Sequence, residues 1–406
     1  MTSLTVAPAF AGVEHHTSHR QLLRTIGSGS SRPPDAIVVS AARPARYLRA
    51  ATELSSELGC TLIALCSHQA KADEVAEVVA EQPNVRWMAI ELPDDYRHPL
   101  LNFETSAVGD VKVRRLGDLS VKRNVGLLLG WLARWSSIMF LDDDISGIDP
   151  AVVREAAGAL KGGLAMVGLI VHDYPDNSVV CHANRLATRK QDVFVSGSAL
   201  LVRCDRQGSF FPEVYNEDWL FFFDCVRAGA MAAHGTARQL RYDPFADPGR
   251  AVGEEFGDVL AEGLLGLLHG ATPLQAATEY GYWGHFLRSR HNFIKRVSSA
   301  LTHLDAGERS RAALRSLQAA QKRRKEISAS YIANYVTTWR LDRRAWIRRL
   351  SALDRPGDLE SALRVLELDR FAIRGDRPRF IEVIPAGRPQ PKYELLMPAM
   401  GVASDR

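Results

Sequence analysis

Short apolar runs alternate with helix-patterned segments over residues 35–245, and this alternation restricts the fold more than any other feature of the chain. Residues 36–40 (AIVVS) and 60–66 (CTLIALC) are strand-like, and residues 45–58 between them place Leu and Ala at helical spacing. Strands that are connected through helices lie parallel in a sheet with helices on both faces. The pattern therefore predicts an α/β fold with a mostly parallel sheet flanked by helices.

The same periodicities predict the other elements and a division of the chain. Strands are expected at residues 85–90, 137–141, 165–171, 193–202 and 237–242. Helices are expected near residues 70–81, 121–135, 218–228, 308–335 and 343–353. The Gly, Ser and Pro cluster GSGSSRPP closes a segment that cannot bury apolar surface. We therefore expect a flexible leader (1–34), an α/β domain (35–257) and a mainly helical, basic C-terminal region (258–406).

Features of targeting and redox chemistry indicate the compartment. The first 16 residues lack a basic start and interrupt their apolar stretch with Pro8 and Glu14, which argues against a signal peptide. The longest apolar runs are about half of the roughly 20 residues that a membrane span requires. The five cysteines form no C-x-x-C pair, so neither a disulfide framework nor a zinc knuckle is indicated. We expect a cytoplasmic protein without a transmembrane helix.

Positive charge is concentrated in the C-terminal third. Residues 271–406 carry 25 Lys and Arg against 14 Asp and Glu, whereas residues 1–270 carry 26 against 33. A region of this kind suits an anionic partner, and its Trp339, Trp346 and neighbouring arginines suit a half-wet boundary. We keep an anionic acceptor and a peripheral contact with a membrane as alternatives to a solvated arginine-rich face, and we expect no nucleic-acid partner.

An acidic triplet is the strongest local signal. In SSIMFLDDDIS an apolar strand runs directly into Asp142, Asp143 and Asp144. Adjacent carboxylates repel one another, so a cation is expected beside them. Ligands bind at the carboxyl ends of strands in open α/β sheets, and carboxylate oxygens are ligands for Mg²⁺ or Mn²⁺. The alternative is a solvated, Asp-rich turn before the next helix.

Two further polar groups begin helices. Lys122, Arg123 and Asn124 open an apolar helix upstream of the triplet, where free backbone N–H groups and positive side chains would meet the same sheet edge. Glu217 and Asp218 begin a strongly apolar helix downstream. In that first turn they can act as capping residues, or one of them can act as a general base.

The order of these segments resembles the A-type glycosyltransferases, especially the large group that includes the family 2 enzymes. Over residues 35–245 the chain presents, in sequence, R-N-V-G at 123–126, D-D-D at 142–144, V-S-G-S at 195–198 and N-E-D at 216–218. The resemblance implies the Rossmann-like A-type fold for 35–257, a nucleotide-diphosphate-sugar donor, a bound Mn²⁺ or Mg²⁺, and transfer to an acceptor hydroxyl.

Site residues follow from the same resemblance. Asp142 and Asp144 correspond to the metal-holding D-x-D pair, and Glu217 or Asp218 to the base of an inverting enzyme. Gly197 corresponds to a strand bend that admits the donor sugar. The resemblance implies donor contacts from Ser40, Ala41, Arg43, Lys122, Asn124, Asp142, Asp143 and Gly197.

The chain departs from that pattern in two places. The second strand ends in Cys66-Ser67-His68, without the acidic residue that many relatives use for the nucleoside, so Asp94 or Asp95 after the third strand is expected instead. The histidine that often completes the metal shell is replaced by Asp243, with His234 as the alternative.

Two other functions compete with sugar transfer. A sugar nucleotidyltransferase would carry a glycine-rich, basic loop after the first strand, and residues 40–44 (SAARP) contain no glycine. A non-catalytic relative could instead bind an anionic partner through the basic C-terminal region. The sequence therefore predicts a metal-dependent glycosyltransferase.

Overall fold

A computed structural model describes residues 15–16, 18–27, 29–82, 85–108, 118–172, 178–188, 193–206, 208–304, 307–377 and 380–383. Most of these residues belong to one large sheet and the helices around it. The strands are β1 Arg24–Thr25, β2 Ala36–Ala41, β3 Thr61–Cys66, β4 Trp87–Glu91, β5 Ser137–Asp142, β6 Ile145–Ser146, β7 Met166–His172, β8 Val195–Arg203, β9 Met231–Gln239, β10 Ala372–Arg377 and β11 Phe380–Val383.

The helices cover both faces of the sheet and make up most of the C-terminal third. They are α1 Arg49–Leu58, α2 Ala72–Ala80, α3 Glu104–Ala107, α4 Leu119–Leu132, α5 Pro150–Lys161, α6 Val179–Thr188, α7 Glu217–Arg227, α8 Pro248–His269, α9 Tyr280–His303, α10 Glu308–Glu326, α11 Ala329–Ser351 and α12 Leu359–Val365. Short 3₁₀ turns lie at Arg20–Leu22, Ala45–Leu48, Pro99–Leu101, Leu274–Thr278 and Asp369–Phe371.

The sheet is mostly parallel, as the alternation of elements predicts. Its strand order is β1-β9-β7-β8-β5-β2-β3-β4-β10-β11, and β6 pairs with β9. The central strands β5, β2, β3 and β4 are parallel, whereas β8 and β10 run against their neighbours. The α/β fold with a mostly parallel, helix-flanked sheet and a mainly helical C-terminal region is therefore confirmed.

Burial of both sheet faces explains the nearly continuous apolar strands. Alternate residues of β2 face different cores: Val38 packs in one cluster with Ile63, and Ile37 packs in the other with Leu62. A parallel strand that is covered on both faces has no solvent side, so its sequence need not alternate between apolar and polar residues.

The register of three strands brings the motifs together. Ser40 pairs with Asp142 across β2 and β5, so the carboxyl ends of these strands meet at one edge. Strand β8 runs antiparallel to β5 and pairs Ala199 with Leu141, which brings Gly197 to the same edge. The predicted Gly-containing strand thus lies beside the acidic triplet.

Several predicted boundaries are wrong. The strand expected at 237–242 is β9, which runs from Met231 to Gln239. Its many small residues give no clear alternation of apolar and polar side chains. The single helix expected at 308–335 is two helices, because the chain leaves helical geometry at Ile327 and Ser328 caps α11 by accepting a hydrogen bond from the Tyr331 N–H at 3.1 Å. Strand β10, which pairs antiparallel with β4, was not predicted.

The tryptophans of α11 contradict the expected half-wet boundary. Trp339 and Trp346 are buried in the main apolar core. The Arg343 guanidinium lies 4.6 Å from the Trp339 ring centroid and pairs with Asp224. Indole rings bury large apolar areas, and here they attach α11 to the core instead of to a surface. Among the described residues, none of the helices is long and apolar enough to cross a membrane.

Candidate active site

The acidic triplet lies at the carboxyl end of β5, where the strand turns into β6. Asp142 is the last residue of β5, and Asp143 and Asp144 form the turn. The Leu240 N–H donates to the Asp144 carbonyl at 2.9 Å, and the Gln239 amide donates to its carboxylate at 3.3 Å. The turn is therefore fixed against the end of β9.

Asp143 closes the loop that follows β2. One of its carboxylate oxygens accepts the backbone N–H groups of Ala42 and Arg43, each at 2.8 Å, and the other contacts the Arg43 guanidinium. Arg43 also donates to Asp144 at 2.9 Å. Burial opposes the charge of Arg43, but Asp144 and Asp143 outweigh it and raise the pKa of Arg43. This side chain remains 44% exposed, so it can exchange partners.

Arg123 of α4 joins β5 to α7 through a buried guanidinium. It donates to both oxygens of Asp142, at 3.0 and 3.1 Å, and to Glu217 at 2.6 Å. Burial alone would lower the pKa of Arg123, but Asp142 and Glu217 raise it, so the group stays charged. Because Glu217 is 2% exposed and held by this ion pair, its carboxylate supports the site's geometry.

Asp218 is oriented by backbone N–H groups. Gly197 donates to one carboxylate oxygen at 2.7 Å, and Trp219 donates to the other at 2.8 Å. Asp218 also lines a cavity of about 20 Å³ together with Ser196 and Asn216. Of the two predicted bases, Asp218 is the one oriented by backbone N–H groups, whereas Glu217 is held by the Arg123 ion pair.

Close packing explains why position 197 is glycine. A Cβ atom there would lie 2.6 Å from an Arg123 nitrogen and 3.1 Å from the Asp218 Cβ. The resemblance assigned Gly197 to the approach of a donor sugar; in the described structure, its missing side chain gives room to the arginine that holds the site.

The side chains of Lys122 and Asn124 form hydrogen bonds with other residues of the protein. The Lys122 ammonium donates to the Ala41 carbonyl at 2.7 Å and to the Ser67 hydroxyl at 2.5 Å, next to Ser40 at the end of β2. Burial lowers the pKa of Lys122, and Asp118 partly opposes that effect. The Asn124 amide exchanges two hydrogen bonds with the Phe211 backbone, both at 2.8 Å. Both side chains position the segments that surround the site.

Two larger cavities open beyond the ends of β3 and β4. One has a volume of about 810 Å³ and includes Asp94, His68 and Asp118 in its lining, and the other, of about 480 Å³, includes Asp94, Ser67 and His68. Asp94 therefore lines both cavities. Asp95, the other predicted residue, is exposed and is absent from the described lining of either.

The carboxylates at the end of β5 fit a divalent cation. Asp142 and Asp144 already hold guanidinium groups, which shows that this edge accommodates positive charge. Mg²⁺ commonly takes only one or two carboxylates from a protein. Within the described part of the chain, Asp142, Asp144 and Asp243 do not bring three ligand atoms within 4.8 Å of one another. Asp243 instead accepts the Phe245 N–H at 3.0 Å.

His234, the alternative to Asp243 as a metal ligand, contacts a residue of α5. Its imidazole pairs with the half-exposed Glu155 of α5 at 2.8 Å. A ring nitrogen that is engaged by a surface carboxylate is satisfied without a metal. Neither Asp243 nor His234 is therefore placed as a third ligand beside Asp142 and Asp144 in the described residues.

His19, which belongs to the predicted leader, lines the cavity that Asp218 also lines. The His19 ring packs 3.8 Å from the Trp219 ring and 4.0 Å from the Phe194 ring, by centroid distances. Its Nδ1 accepts the Val195 N–H at 3.3 Å. The sequence offers no signal for this docking, because the histidines before the glycine-rich stretch show no periodicity.

No protein-family model and no curated protein sequence matches the chain. Among solved structures, the chain is similar to mannosyl-3-phosphoglycerate synthase from Rubrobacter xylanophilus, with 13% identity and a TM-score of 0.33 over 53% of this chain and 70% of that chain. It is also similar to residues 1–349 of S. aureus TarS in complex with UDP-GlcNAc, with 12% identity and a TM-score of 0.33 over 72% of this chain and 90% of that chain.

Proposed function

We propose that the chain is a metal-dependent glycosyltransferase that moves a sugar from a nucleotide-diphosphate donor to an acceptor hydroxyl. The observation that carries the proposal is the buried Arg123 bridge between Asp142 and Glu217. It fixes the acidic end of β5, suited to a cation and a diphosphate, next to the helix start that bears Asp218. Reactions between two bound molecules gain from such fixed geometry.

Asp142 and Asp144 would hold the cation on the donor side. When bound, Mn²⁺ or Mg²⁺ supplies charge neutralisation for the diphosphate leaving group. Arg43 would then release Asp144 and present its guanidinium to phosphate oxygens, a planar pairing that arginine makes well. Its 44% exposure supports this exchange of partners.

The two larger cavities have the size and chemistry for the nucleoside. Their volumes of about 480 and 810 Å³ fall within the usual range for small-molecule sites, roughly 300 to 1,000 Å³. Asp94, Ser67 and His68 supply polar groups near the ends of β3 and β4. We therefore propose Asp94 as the residue that accepts hydrogen bonds from the ribose or base.

Asp218 would act as the base of an inverting transfer. Its carboxylate accepts the proton of the acceptor hydroxyl while that oxygen forms a bond to the anomeric carbon of the sugar. The bond from that carbon to the phosphate oxygen breaks, and the nucleoside diphosphate leaves with the electron pair. The bonds from Gly197 and Trp219 hold the carboxylate in one orientation, as general-base catalysis requires.

Donor binding should depend on a divalent cation. We expect Asp144→Asn to weaken the binding of UDP-GlcNAc or another nucleotide sugar in Mn²⁺ by at least about 10- to 100-fold, a loss that even outer partners of a metal site produce. Isothermal titration calorimetry with Mn²⁺, with Mg²⁺ and with a chelator measures this effect. Asp205→Asn, at an exposed carboxylate paired with Arg203, is the matched control.

The calorimetry can contradict the proposal directly. If a nucleotide sugar binds equally well with a cation and with a chelator, and Asp144→Asn changes nothing, the triplet holds no catalytic ion. If no nucleotide sugar in a broad panel binds in any of the three conditions, the chain is a non-catalytic relative.

We also propose a peripheral contact between α11 and an anionic membrane. Arg344 and Arg348 are exposed on this helix, next to the exposed Leu341 and Ile347. Exposed basic and apolar side chains on one helix suit the interface of an anionic bilayer. The attraction should weaken with salt, since exposed charges are screened over about 8 Å at physiological ionic strength.

Liposome sedimentation tests the contact. We expect Arg344→Gln with Arg348→Gln to reduce binding to vesicles that contain anionic lipid, with the larger difference at low salt. The control carries the same charge change at Arg309 and Arg311, which are exposed on α10. Equal binding by both double variants and the wild type would contradict a specific contact through α11.

A further inference from the structure

A second cluster of potential metal ligands lies beside the small cavity that Asp218 lines. His15 from the N-terminal segment, Cys181 from α6 and Glu262 from α8 each offer one ligand atom, and these atoms lie within 4.8 Å of one another. Across the described ranges, no other set of three His, Cys, Asp or Glu residues comes so close. Three segments that are far apart in sequence therefore converge on one point.

Three polar side-chain atoms of His15 and Glu262 lack hydrogen-bond partners. The side chain of His15 is 2% exposed, and neither ring nitrogen makes a hydrogen bond. Oε2 of Glu262, a residue that is 5% exposed, is also without one. The His15 Nε2 and Glu262 Oε1 atoms lie 3.4 Å apart without the alignment of a hydrogen bond. Buried polar atoms of this kind are rare and costly unless something binds them.

Buried acidic residues of α8 surround the cluster. Glu255, Asp258 and Glu262 project from buried positions on α8, and Arg290 of α9 pairs with two of them, Glu255 at 2.8 Å and Asp258. Arg290 does not pair with Glu262, and burial together with Asp258 raises the pKa of the Glu262 carboxyl. A bound cation would favour the ionised Glu262 carboxylate in a region where isolated buried charges are strongly unfavourable.

The space beside the cluster is small. Cys181, Asp258 and Glu262 line the cavity of about 20 Å³ that also reaches Asp218. A cavity needs about 10 to 15 Å³ to hold one water molecule, so this one can hold a water or ion ligand but no larger group.

We propose that His15, Cys181 and Glu262 form a zinc site. An imidazole nitrogen, a thiolate and a carboxylate are the ligand types that Zn²⁺ combines, with bonds of roughly 2.0 to 2.3 Å, whereas Mg²⁺ prefers oxygen alone. Binding would release the Cys181 proton to solvent, and a water in the cavity would complete a four-coordinate shell.

The site would attach the N-terminal segment to the helices behind the candidate active site. His15 lies four residues before His19, whose ring packs on Trp219 beside Asp218. The bound ion would therefore help to keep the His19 ring in its position on Trp219. This inference does not depend on the proposed sugar transfer, because a structural ion is detected without any donor or acceptor.

The test uses the full chain, first loaded with Zn²⁺ for metal analysis and then with Co²⁺ for absorption spectroscopy. We expect about one zinc per chain after gel filtration, and a thiolate-to-cobalt charge-transfer band in the Co²⁺ protein. Cys181→Ser, which is nearly isosteric, should lose the band and the zinc. Cys225→Ser, at a partly buried cysteine of α7, should keep both.

Two more comparisons separate ligand loss from unfolding and from the acidic triplet. His15→Ala should lose the zinc, whereas His16→Ala, at the adjacent histidine that stacks on His269, should retain it. Asp144→Asn should retain the charge-transfer band, because a carboxylate site gives no thiolate signal. A wild type that binds neither metal, or a Cys181→Ser protein with an unchanged band, would overturn the zinc site.

Discussion

Asp218→Asn is expected to lower turnover by about 10²- to 10⁴-fold, the usual contribution of a general base, while donor affinity stays nearly constant. The amide is nearly isosteric with the carboxylate, so the hydrogen bond from the Gly197 N–H can persist. What is lost is the group that accepts the acceptor's proton. Steady-state kcat with a saturating donor, together with calorimetric donor affinity, separates these two quantities.

Two controls define the Asp218 result. Asp224→Asn removes a partly exposed carboxylate from the same helix, where it pairs with Arg227 and Arg343, and should leave kcat unchanged. Glu217→Gln should affect stability more than proton transfer, because Glu217 is bound by Arg123. If Asp218→Asn keeps full turnover while Glu217→Gln loses it, the assignment of the base to Asp218 is wrong.

Arg123→Met should destabilise the protein by about 3 to 5 kcal/mol, the loss typical when one partner of a buried ion pair is removed. Methionine can fill much of the space, but it leaves the carboxylate of Glu217, 2% exposed, without its cation. Urea unfolding followed by circular dichroism measures the free energy of unfolding. Arg227→Met, in an exposed pair with Asp224, should cost less than about 1 kcal/mol.

A double variant tests the cause of that loss. Adding Glu217→Gln to Arg123→Met removes the uncompensated charge, so part of the stability should return and the two changes should not be additive. A full loss with no recovery would mean that the arginine acts mainly through packing, for example on the Phe211 ring, whose centroid lies 5.5 Å away.

The sequence predicted the sheet edge well because its signals are local. The apolar run before Asp142 marks a strand, and parallel strands place their carboxyl ends together, so the meeting of β2 and β5 follows from connectivity alone. Strand β10 could not be found in this way. It joins β4 across about 280 residues of chain, and its Ala372–Arg377 sequence carries no strong alternation.

The hydrogen-bond partners of the site residues could not be predicted from the sequence, because three-dimensional packing determines them. Lys122 and Asn124 were expected to contact the donor, and nothing in their spacing indicates the backbone groups of Ala41 and Phe211 that they bind. The convergence of His15 with α6 and α8 also lacks a sequence signal, because its members lie 166 and 81 residues apart along the chain. Isolated polar residues become interpretable only when their neighbours are known.

Three consecutive residues of α4 each hold a different segment: Lys122 the ends of β2 and β3, Arg123 the end of β5 and the start of α7, and Asn124 the loop at Phe211. An α-helix turns by about 100° per residue, so one residue inserted ahead of Lys122 within this helix would rotate all three away from their segments at once. Natural length variation in this part of the chain should therefore be confined to the loops on either side of the helix.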